Sequence, residues 1–318
     1  MKIVVLDGRT LNPGDNPWDE VAKLGELTVY DRTAPEEIVS RAKDAEIILT
    51  NKTPLTAQTL ERLPKLRFIS VLATGYNVVD VQAAAQQGIV VSNVPVYATD
   101  SVAQFTFALL LELCHHVAAH DAAVKSGEWS SCPDFCFWKY PLVELAGKQM
   151  GIVGFGRLGR RVGELANAFG MKVVATDIIQ RQEPGYQPFE WMDIDELFST
   201  SDVVSLHCPQ TPDNVGMVNR ELLGRMKKSA FLINTSRGGL IVEEDLAEAL
   251  NTEKIAGAAV DVVSTEPIKP DNPLLQAKNC IITPHIAWAS LDARKRLMKA
   301  TAENISAFIA GAPINVVS

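Results

Sequence analysis

The sequence lacks basic runs and long apolar runs. Its 318 residues carry 30 Lys and Arg against 38 Asp and Glu, which gives a formal net charge of −8. No run of five or more basic residues occurs, so nucleic acid and anionic membranes are poor partners on electrostatic grounds. The longest apolar stretch, residues 105–111, is too short to span a bilayer. We therefore expect no nucleic-acid and no membrane partner.

Cysteine is also scarce. The five cysteines are scattered, and only Cys132 and Cys136 lie close together, without a second pair to complete a zinc site. We interpret the thiols as reduced and packed as small hydrophobic groups. His116 and His120 have the i, i+4 spacing of metal ligands, but Val117 stands where an H-E-x-x-H site needs its glutamate. We expect no metal site. The N-terminus lacks a secretory signal pattern, so we expect a cytoplasmic location.

The most informative stretch runs from residue 149 to 177 and contains a glycine-rich turn. An apolar, strand-like run precedes Gly154, Gly156 and Gly159, which have the order G-x-G-x-x-G, and a helical pattern follows them. A bare motif of this kind is a weak signal, but the strand, the helix and a terminal acid, Asp177, are all present. The glycines allow a tight turn, close approach of a pyrophosphate and close helix–strand packing. The helix that begins near Arg157 directs its free N–H groups at the phosphates.

Asp177 indicates which dinucleotide binds. Its carboxylate can accept hydrogen bonds from the adenosine ribose diol, and its charge repels a 2′-phosphate. The next residues are Ile178, Ile179 and Gln180, so no adjacent cation is available for a phosphate. The sequence favours NAD over NADP.

Strand-like and helix-like segments alternate along most of the chain. About five short strands are expected before residue 93, and six or seven between residues 150 and 283, which indicates parallel sheets covered on both faces. Between these parts, residues 100–128 form one long predicted helix with apolar residues almost all round. Such a helix is buried between domains or in a subunit interface. A chain of this length is expected to form two domains.

Three polar residues follow successive predicted strands after the glycine motif. Arg237 follows FLINTS, Glu266 follows AAVDVVS, and His285 follows CIITP. Taken one by one, each is more often structural than catalytic. Because α/β sheets place their sites at the carboxyl ends of their strands, the three together predict an active site.

These motifs resemble the D-isomer-specific 2-hydroxyacid dehydrogenase family, and most of all its glycerate dehydrogenase/hydroxypyruvate reductase branch. The similar segments occur in the family's order over nearly the whole chain: LATGYNVVD (72–80), SVAQFTFALLLEL (101–113), ELAGKQMGIVGFGRLG (144–159), LHCPQTPDN (206–214), INTSRGG (233–239), AAVDVVSTEP (258–267) and TPHIAWAS (283–290).

The resemblance implies an α/β fold with two Rossmann-like, doubly wound parallel-sheet domains. The dinucleotide-binding domain, residues 99–287, is inserted into a flavodoxin-like substrate domain, residues 1–98 and 288–318. In the family, the segment that corresponds to residues 99–126 contributes to a two-fold dimer. A homodimer is therefore implied.

The resemblance also implies roles for individual residues. Arg237 would hold the substrate carboxylate and the C2 oxygen, His285 would be the general acid and base, and Glu266 would orient the imidazole. The implied cofactor contacts are Val102, Gly154, Gly156, Arg157, Leu158, Gly159, Asp177, His207, Cys208, Pro209, Thr235, Ser236, Asp261 and His285. The implied substrate contacts are Lys52, Thr74, Gly75, Arg237, His285 and Trp288. Base rates for lysine favour a solvated surface side chain over a substrate contact at Lys52. Trp138 could line the substrate entrance or serve only in packing.

The implied reaction is NADH-dependent reduction of a small 2-oxo acid, hydroxypyruvate or glyoxylate, to D-glycerate or glycolate. Two departures from the family pattern are visible: Gln104 replaces a common glutamate, and Ala287-Trp288 replaces smaller residues after His285. Alternative substrates are 3-phosphoglycerate and D-lactate. A different class, a dinucleotide-sensing protein like the corepressors that share the fold, also stays open.

Overall fold

The chain folds into two compact units, each built on one parallel sheet. The computed structural model describes all 318 residues, and residues 1–98 with 288–318 form the first unit while residues 99–287 form the second. The strands are β1 (Lys2–Val5), β2 (Glu26–Val29), β3 (Ile47–Thr50), β4 (Phe68–Val71), β5 (Val90–Ser92), β6 (Gln149–Val153), β7 (Lys172–Thr176), β8 (Phe189–Trp191), β9 (Val203–Leu206), β10 (Phe231–Asn234), β11 (Gly257–Val260) and β12 (Cys280–Ile282). The helices are α1 (Asp19–Ala22), α2 (Ile38–Ala42), α3 (Ala57–Leu60), α4 (Val81–Gln86), α5 (Thr99–His115), α6 (Val117–Lys125), α7 (Arg157–Ala168), α8 (Ile194–Thr200), α9 (Arg220–Arg225), α10 (Glu243–Asn251) and α11 (Leu291–Ile309).

The first unit has a five-stranded sheet in the order β2-β1-β3-β4-β5, with all neighbours parallel. Successive side chains of a strand point to opposite faces, so Ile3 and Val5 join one core cluster while Val4 joins the other. Helices α2 to α4 cover one face, and α1 and α11 cover the other. The strand order reverses between β1 and β3, which makes the loops after these strands the natural ligand position.

The second unit has a seven-stranded parallel sheet in the order β12-β11-β10-β9-β6-β7-β8. One core cluster packs α5 and α7 against the sheet, and the other packs α8, α9 and α10 against the opposite face. The reversal of strand order lies between β6 and β9. The loop after β6 is the glycine-rich turn, so the turn occupies the position where doubly wound sheets bind ligands.

The predicted long helix over residues 100–128 is wrong in one respect. The structure has two helices, α5 and α6, because His116 adopts a left-handed conformation with φ 47° and ψ 46° between them. The two helices meet at a bend of 55°. A residue in this conformation ends the α-helical hydrogen-bond pattern, and the apolar composition of the segment gives no sign of it.

The predicted fold class agrees with the structure, and two details differ. The α/β class and the doubly wound parallel sheets are confirmed. Gly170, which has a φ of +75°, follows the end of α7. The short strand β8 was not predicted. Cys136 is exposed rather than packed, and all five cysteines are free thiols. No single helix is long and apolar enough to cross a membrane, and only α5 and α6 taken together would meet the criteria of length and composition.

Candidate active site

The glycine-rich turn after β6 is tied to the end of β7 by the Asp177 carboxylate. The Phe155 N–H donates to Oδ2 of Asp177 at 2.7 Å, and the Ile179 N–H donates to Oδ1 at 3.3 Å. The carboxylate is therefore fixed beside the turn and half-exposed. A carboxylate held in this place can still accept hydrogen bonds from a diol, because two donors leave part of its acceptor capacity free.

The three glycines of the motif differ in what a Cβ atom would meet at each position. Gly154 has a φ of +91°, and a Cβ there would lie 2.5 Å from the Cys208 nitrogen. A Cβ on Gly159 would lie 2.2 Å from the Gly154 oxygen. A Cβ on Gly156 would meet no atom within 4 Å, so this glycine faces open space at the start of α7. No side chain caps α7, which leaves its N-terminal dipole directed at that space. The space and the donors fit a pyrophosphate.

The loop after β9 carries His207, Cys208 and Pro209 past the glycine-rich turn. His207 is half-buried: its Nε2 lies 2.8 Å from the Ser205 hydroxyl, and its Nδ1 is buried and has no hydrogen-bond partner. Burial lowers the pKa of His207 to about 3, so the ring is neutral. Burial likewise raises the pKa of the Cys208 thiol to about 11. At Gly154, backbone atoms of His207 and Cys208 lie against the glycine-rich turn.

Arg237 is presented by a side-chain clamp in the turn after β10. The buried Asn234 accepts the Ser236 N–H at 3.0 Å and donates to the Arg237 carbonyl at 2.9 Å. The Ser236 hydroxyl donates to the Cys208 carbonyl at 2.5 Å, which ties this turn to the neighbouring loop. The Arg237 side chain itself is exposed. Its guanidinium is thereby held on a fixed turn where it can meet a carboxylate.

Thr235 and Val102 are brought together by one hydroxyl. The Thr106 hydroxyl on α5 donates to the Val102 carbonyl at 2.9 Å and lies 3.1 Å from the Thr235 hydroxyl. All three residues are buried. The start of α5 is therefore fixed against the end of β10, the strand that leads to Arg237.

His285 and Glu266 form a close pair. Nδ1 of His285 lies 2.6 Å from Oε2 of Glu266, and the two side chains are 29% and 34% exposed. The other carboxylate oxygen of Glu266 accepts the Val263 N–H at 3.4 Å. The contact at Nδ1 fixes the orientation of the imidazole ring.

The His285 backbone has a φ of 54°, a left-handed conformation that is uncommon for residues other than glycine. Asp261, which is 1% exposed, holds the turn: its Oδ1 accepts the Thr283 hydroxyl at 2.6 Å and the Ile286 N–H at 2.9 Å, and its Oδ2 accepts the Ala287 N–H at 2.8 Å. The His285 N–H donates to the Asp261 carbonyl at 2.8 Å. The sequence indicates Asp261 only as a cofactor contact. In the structure its carboxylate mainly organises the turn that carries His285.

In the first unit, Asp7 fixes the loop that carries Lys52. The Asp7 carboxylate accepts the backbone N–H groups of Asn51, Lys52 and Thr53 at 2.8, 2.5 and 2.8 Å. This clamp bridges the strand-order reversal between β1 and β3. The Lys52 side chain is exposed, so its position in the fold agrees with either of its two interpretations. Asp7 was not singled out from the sequence.

The remaining predicted substrate residues of the first unit lie on or near the next loop. Thr74 and Gly75 follow β4, and the Thr74 hydroxyl donates to the Val94 carbonyl at 2.9 Å. The Asn93 side chain donates to the Thr74 carbonyl at 2.7 Å, which fixes the loop against the end of β5. Trp288 packs edge-on against Tyr97, with ring centroids 6.3 Å apart.

The two histidines with metal-ligand spacing are engaged with the protein. Nδ1 of His120 lies 2.9 Å from the His116 carbonyl, and its Nε2 accepts the Lys139 N–H at 3.1 Å. No group of three or more His, Cys, Asp or Glu side chains is arranged to hold a metal ion. Trp138 is 66% exposed. It lies on the aromatic loop, residues 126–148 between α6 and β6, which also holds Trp129, Phe135, Phe137 and Tyr140.

Comparison with known proteins gives consistent matches over the full chain. Residues 107–287 match the family model described as D-isomer specific 2-hydroxyacid dehydrogenase, NAD binding domain. A hydroxypyruvate reductase from Blautia hydrogenotrophica is 54% identical, with 100% of both chains covered. A glycerate dehydrogenase from Methylorubrum extorquens is 41% identical over 99% of this chain and 98% of the relative. The structure of an Aquifex aeolicus D-lactate dehydrogenase complexed with NAD and lactic acid superposes with a TM-score of 0.83, at 28% identity and complete coverage of both chains.

Proposed function

Because this chain belongs to the D-isomer specific 2-hydroxyacid dehydrogenase family, and is an NAD-dependent enzyme of that family, we propose that it reduces hydroxypyruvate or glyoxylate with NADH. The products are D-glycerate and glycolate. The 54% identity to a hydroxypyruvate reductase over both full chains supports this choice of substrate.

The observation that carries the chemistry is the contact of 2.6 Å between His285 and Glu266. NADH, when bound, supplies the hydride that reduces the C2 carbon. His285 donates a proton from Nε2 to the C2 oxygen, and in the reverse direction the same atom removes it. Glu266 holds the ring through Nδ1, so that Nε2 stays directed at the substrate. Arg237 binds the substrate carboxylate and the C2 oxygen through its planar fork.

We assign the cofactor to the carboxyl edge of the seven-stranded sheet. The open space at Gly156 and the N–H groups that begin α7, at Arg157, Leu158 and Gly159, would hold the pyrophosphate. Asp177 would hold the adenosine ribose, which makes NADH the preferred form because the carboxylate repels a 2′-phosphate. The other proposed contacts are Val102, Gly154, His207, Cys208, Pro209, Thr235, Ser236 and Asp261.

Residues 1–98 and 288–318 make up the proposed substrate domain, and residues 99–287 the NAD domain. In the substrate domain, the amides of Thr74 and Gly75 would bind the substrate carboxylate. Lys52 would contact a substrate oxygen, and Trp288 would narrow the pocket around a small acid.

We further propose that the protein works in the cytoplasm as a homodimer. The second unit exposes large apolar side chains around α6 and the aromatic loop. They are Val117, Val124, Trp129, Phe135, Trp138, Tyr140 and Leu142. Exposed apolar area of this kind is typical of a subunit interface. Sedimentation velocity of the purified protein tests the homodimer, and a monomer at micromolar concentration would contradict it.

The decisive experiment offers hydroxypyruvate, glyoxylate, pyruvate and 3-phosphohydroxypyruvate in parallel and follows NADH absorbance. We expect the highest kcat/KM with hydroxypyruvate or glyoxylate. If the protein reduces only one of the other acids, the proposed mechanism stands and the substrate assignment changes. A phosphorylated substrate is disfavoured because the loop at residues 74–80 has no Lys or Arg. NADH binding without turnover on any of these acids would instead favour a dinucleotide-sensing protein of the corepressor type.

A further inference from the structure

A buried carboxylate at the start of α10 takes no part in the proposed reaction. Glu243 is the first residue of that helix and is 8% exposed. A buried ionised carboxylate is unfavourable unless hydrogen-bond donors compensate for the lost hydration. Glu243 has three donors, and the helix N-terminus adds a favourable dipole.

All three donors come from one loop. Oε1 accepts the Ser264 N–H at 2.7 Å, and Oε2 accepts the Ser264 hydroxyl at 2.7 Å and the Asn272 side-chain N–H at 2.9 Å. The loop between Ser264 and Asn272 is thus tied to α10 at both ends. Glu266 lies inside this segment.

Ser264 also belongs to the turn that orients Glu266. The adjacent Val263 N–H donates to Oε1 of Glu266 at 3.4 Å, while Oε2 of Glu266 contacts His285. A shift of Ser264 would therefore move the turn and change the distance between Glu266 and the imidazole. The chain of contacts runs from Glu243 through Ser264 to Glu266 and His285.

We propose that Glu243 is a positioning residue for proton transfer: it holds the loop of residues 264–272 so that Glu266 stays against Nδ1 of His285. This inference rests on the proposed function, because it requires that the Glu266–His285 pair acts in catalysis. It assigns to Glu243 no contact with substrate or cofactor.

The test is a double-mutant cycle of E243Q and E266Q, read as kcat with hydroxypyruvate or whichever acid the panel selects. In E243Q, the new side-chain NH₂ group opposes the Asn272 NH₂ group, so the loop loses an anchor. We expect kcat to fall by up to about 100-fold, the loss that a misplacement of about 1 Å can cause, while the KM for NADH stays within about twofold of wild type. In the E266Q background, E243Q should cause little further loss of kcat, because the effects of substituting residues that act as a unit do not add.

The matched control is E244Q, which removes the same charge from the neighbouring, exposed residue of α10 and should leave kcat unchanged. If E243Q does not fold, S264A removes one loop donor and leaves the carboxylate in place, and the same lack of additivity with E266Q is expected.

The possible outcomes separate the two proposals. If the double variant loses kcat by the product of the two single losses, Glu243 acts independently of Glu266. That result would overturn the positioning role. A normal E243Q with an impaired E266Q would overturn it too, while the proposed function stands. A normal E266Q would remove the acid–base pair from the proposed function, and the role of Glu243 would fall with it.

Discussion

Glu266 and His285 are 19 residues apart in the sequence, yet Oε2 of one lies 2.6 Å from Nδ1 of the other. Two separate devices create this contact. The Asp261 carboxylate accepts hydrogen bonds from the turn that carries His285. The Glu243 carboxylate on α10 accepts hydrogen bonds from the loop that carries Glu266. Both supporting residues are acidic and buried, and neither needs to touch a ligand for the pair to form.

Removing the imidazole should abolish proton transfer without removing the cofactor site. For His285→Asn we expect kcat to fall by roughly 100- to 10,000-fold, the usual contribution of general acid–base catalysis. The dissociation constant of NADH, measured by fluorescence, should stay near the wild-type value, and the melting temperature serves as the control for folding. A kcat within threefold or so of wild type would contradict the role given to His285.

Arg237→Lys tests whether substrate binding needs the planar pair of donors as well as the positive charge. Lysine keeps the positive charge but loses the planar pair of donors, so the KM for hydroxypyruvate should rise at least about tenfold, as expected when one charge-assisted hydrogen bond of about 1.5–3 kcal/mol is lost. The control is Arg220→Lys, an exposed residue on α9 that pairs with Asp245 at 3.5 Å. Equal KM values for the two variants would argue against a carboxylate contact at Arg237.

The preference for NADH should depend on the charge of Asp177. In the double variant Asp177→Asn, Ile178→Arg, the asparagine oxygen can still accept the Phe155 N–H, while the repulsion of a 2′-phosphate is removed and a cation is added. We expect the ratio of kcat/KM for NADPH over NADH to rise by at least about tenfold, or 1.4 kcal/mol. An unchanged ratio would mean that the ribose is bound elsewhere.

Two alanine substitutions in the glycine motif should fail in different ways. Gly159→Ala places a Cβ 2.2 Å from the Gly154 oxygen, and the overpacking cost of about 1–3 kcal/mol outweighs a gain in helix propensity of up to about 1 kcal/mol. Its melting temperature should fall. Gly156→Ala has open space in the structure, so it should fold normally and weaken NADH binding by about tenfold or more. Normal NADH binding by Gly156→Ala would place the pyrophosphate away from this turn.

The lowered pKa of His207 should make the protein less stable in acid. Its pKa is lowered to about 3, against 6.5 for a free imidazole, so below pH 6.5 the unfolded chain takes up a proton that the folded chain does not. The stability present above pH 6.5 is therefore lost as the pH falls toward 3. We expect the melting temperature of wild type to drop more steeply between about pH 7 and pH 5 than that of His207→Gln. His115→Gln, at an exposed histidine on α5, is the control and should follow the wild-type curve.

Much of the fold follows from local patterns that the sequence displays. Short β-branched runs alternate with helical stretches, which predicts about five strands before residue 93 and six or seven after it. The structure has five, β1 to β5, and seven, β6 to β12. The family and NAD as the cofactor, inferred from the motifs, are confirmed by the matches to known proteins. These features could be predicted because periodicity, glycine spacing and the ends of strands are properties of contiguous residues.

The sequence by itself determined the parallel sheets, the nucleotide-binding turn and the identity of the candidate residues Arg237, Glu266 and His285. Only the tertiary structure decided how they are held. The left-handed break at His116 and the carboxylate clamps of Asp7, Asp261 and Glu243 depend on partners that are distant in sequence or on one backbone angle. A buried acid looks the same in a sequence as a solvated one, because its free energy is set by the donors that the fold brings to it.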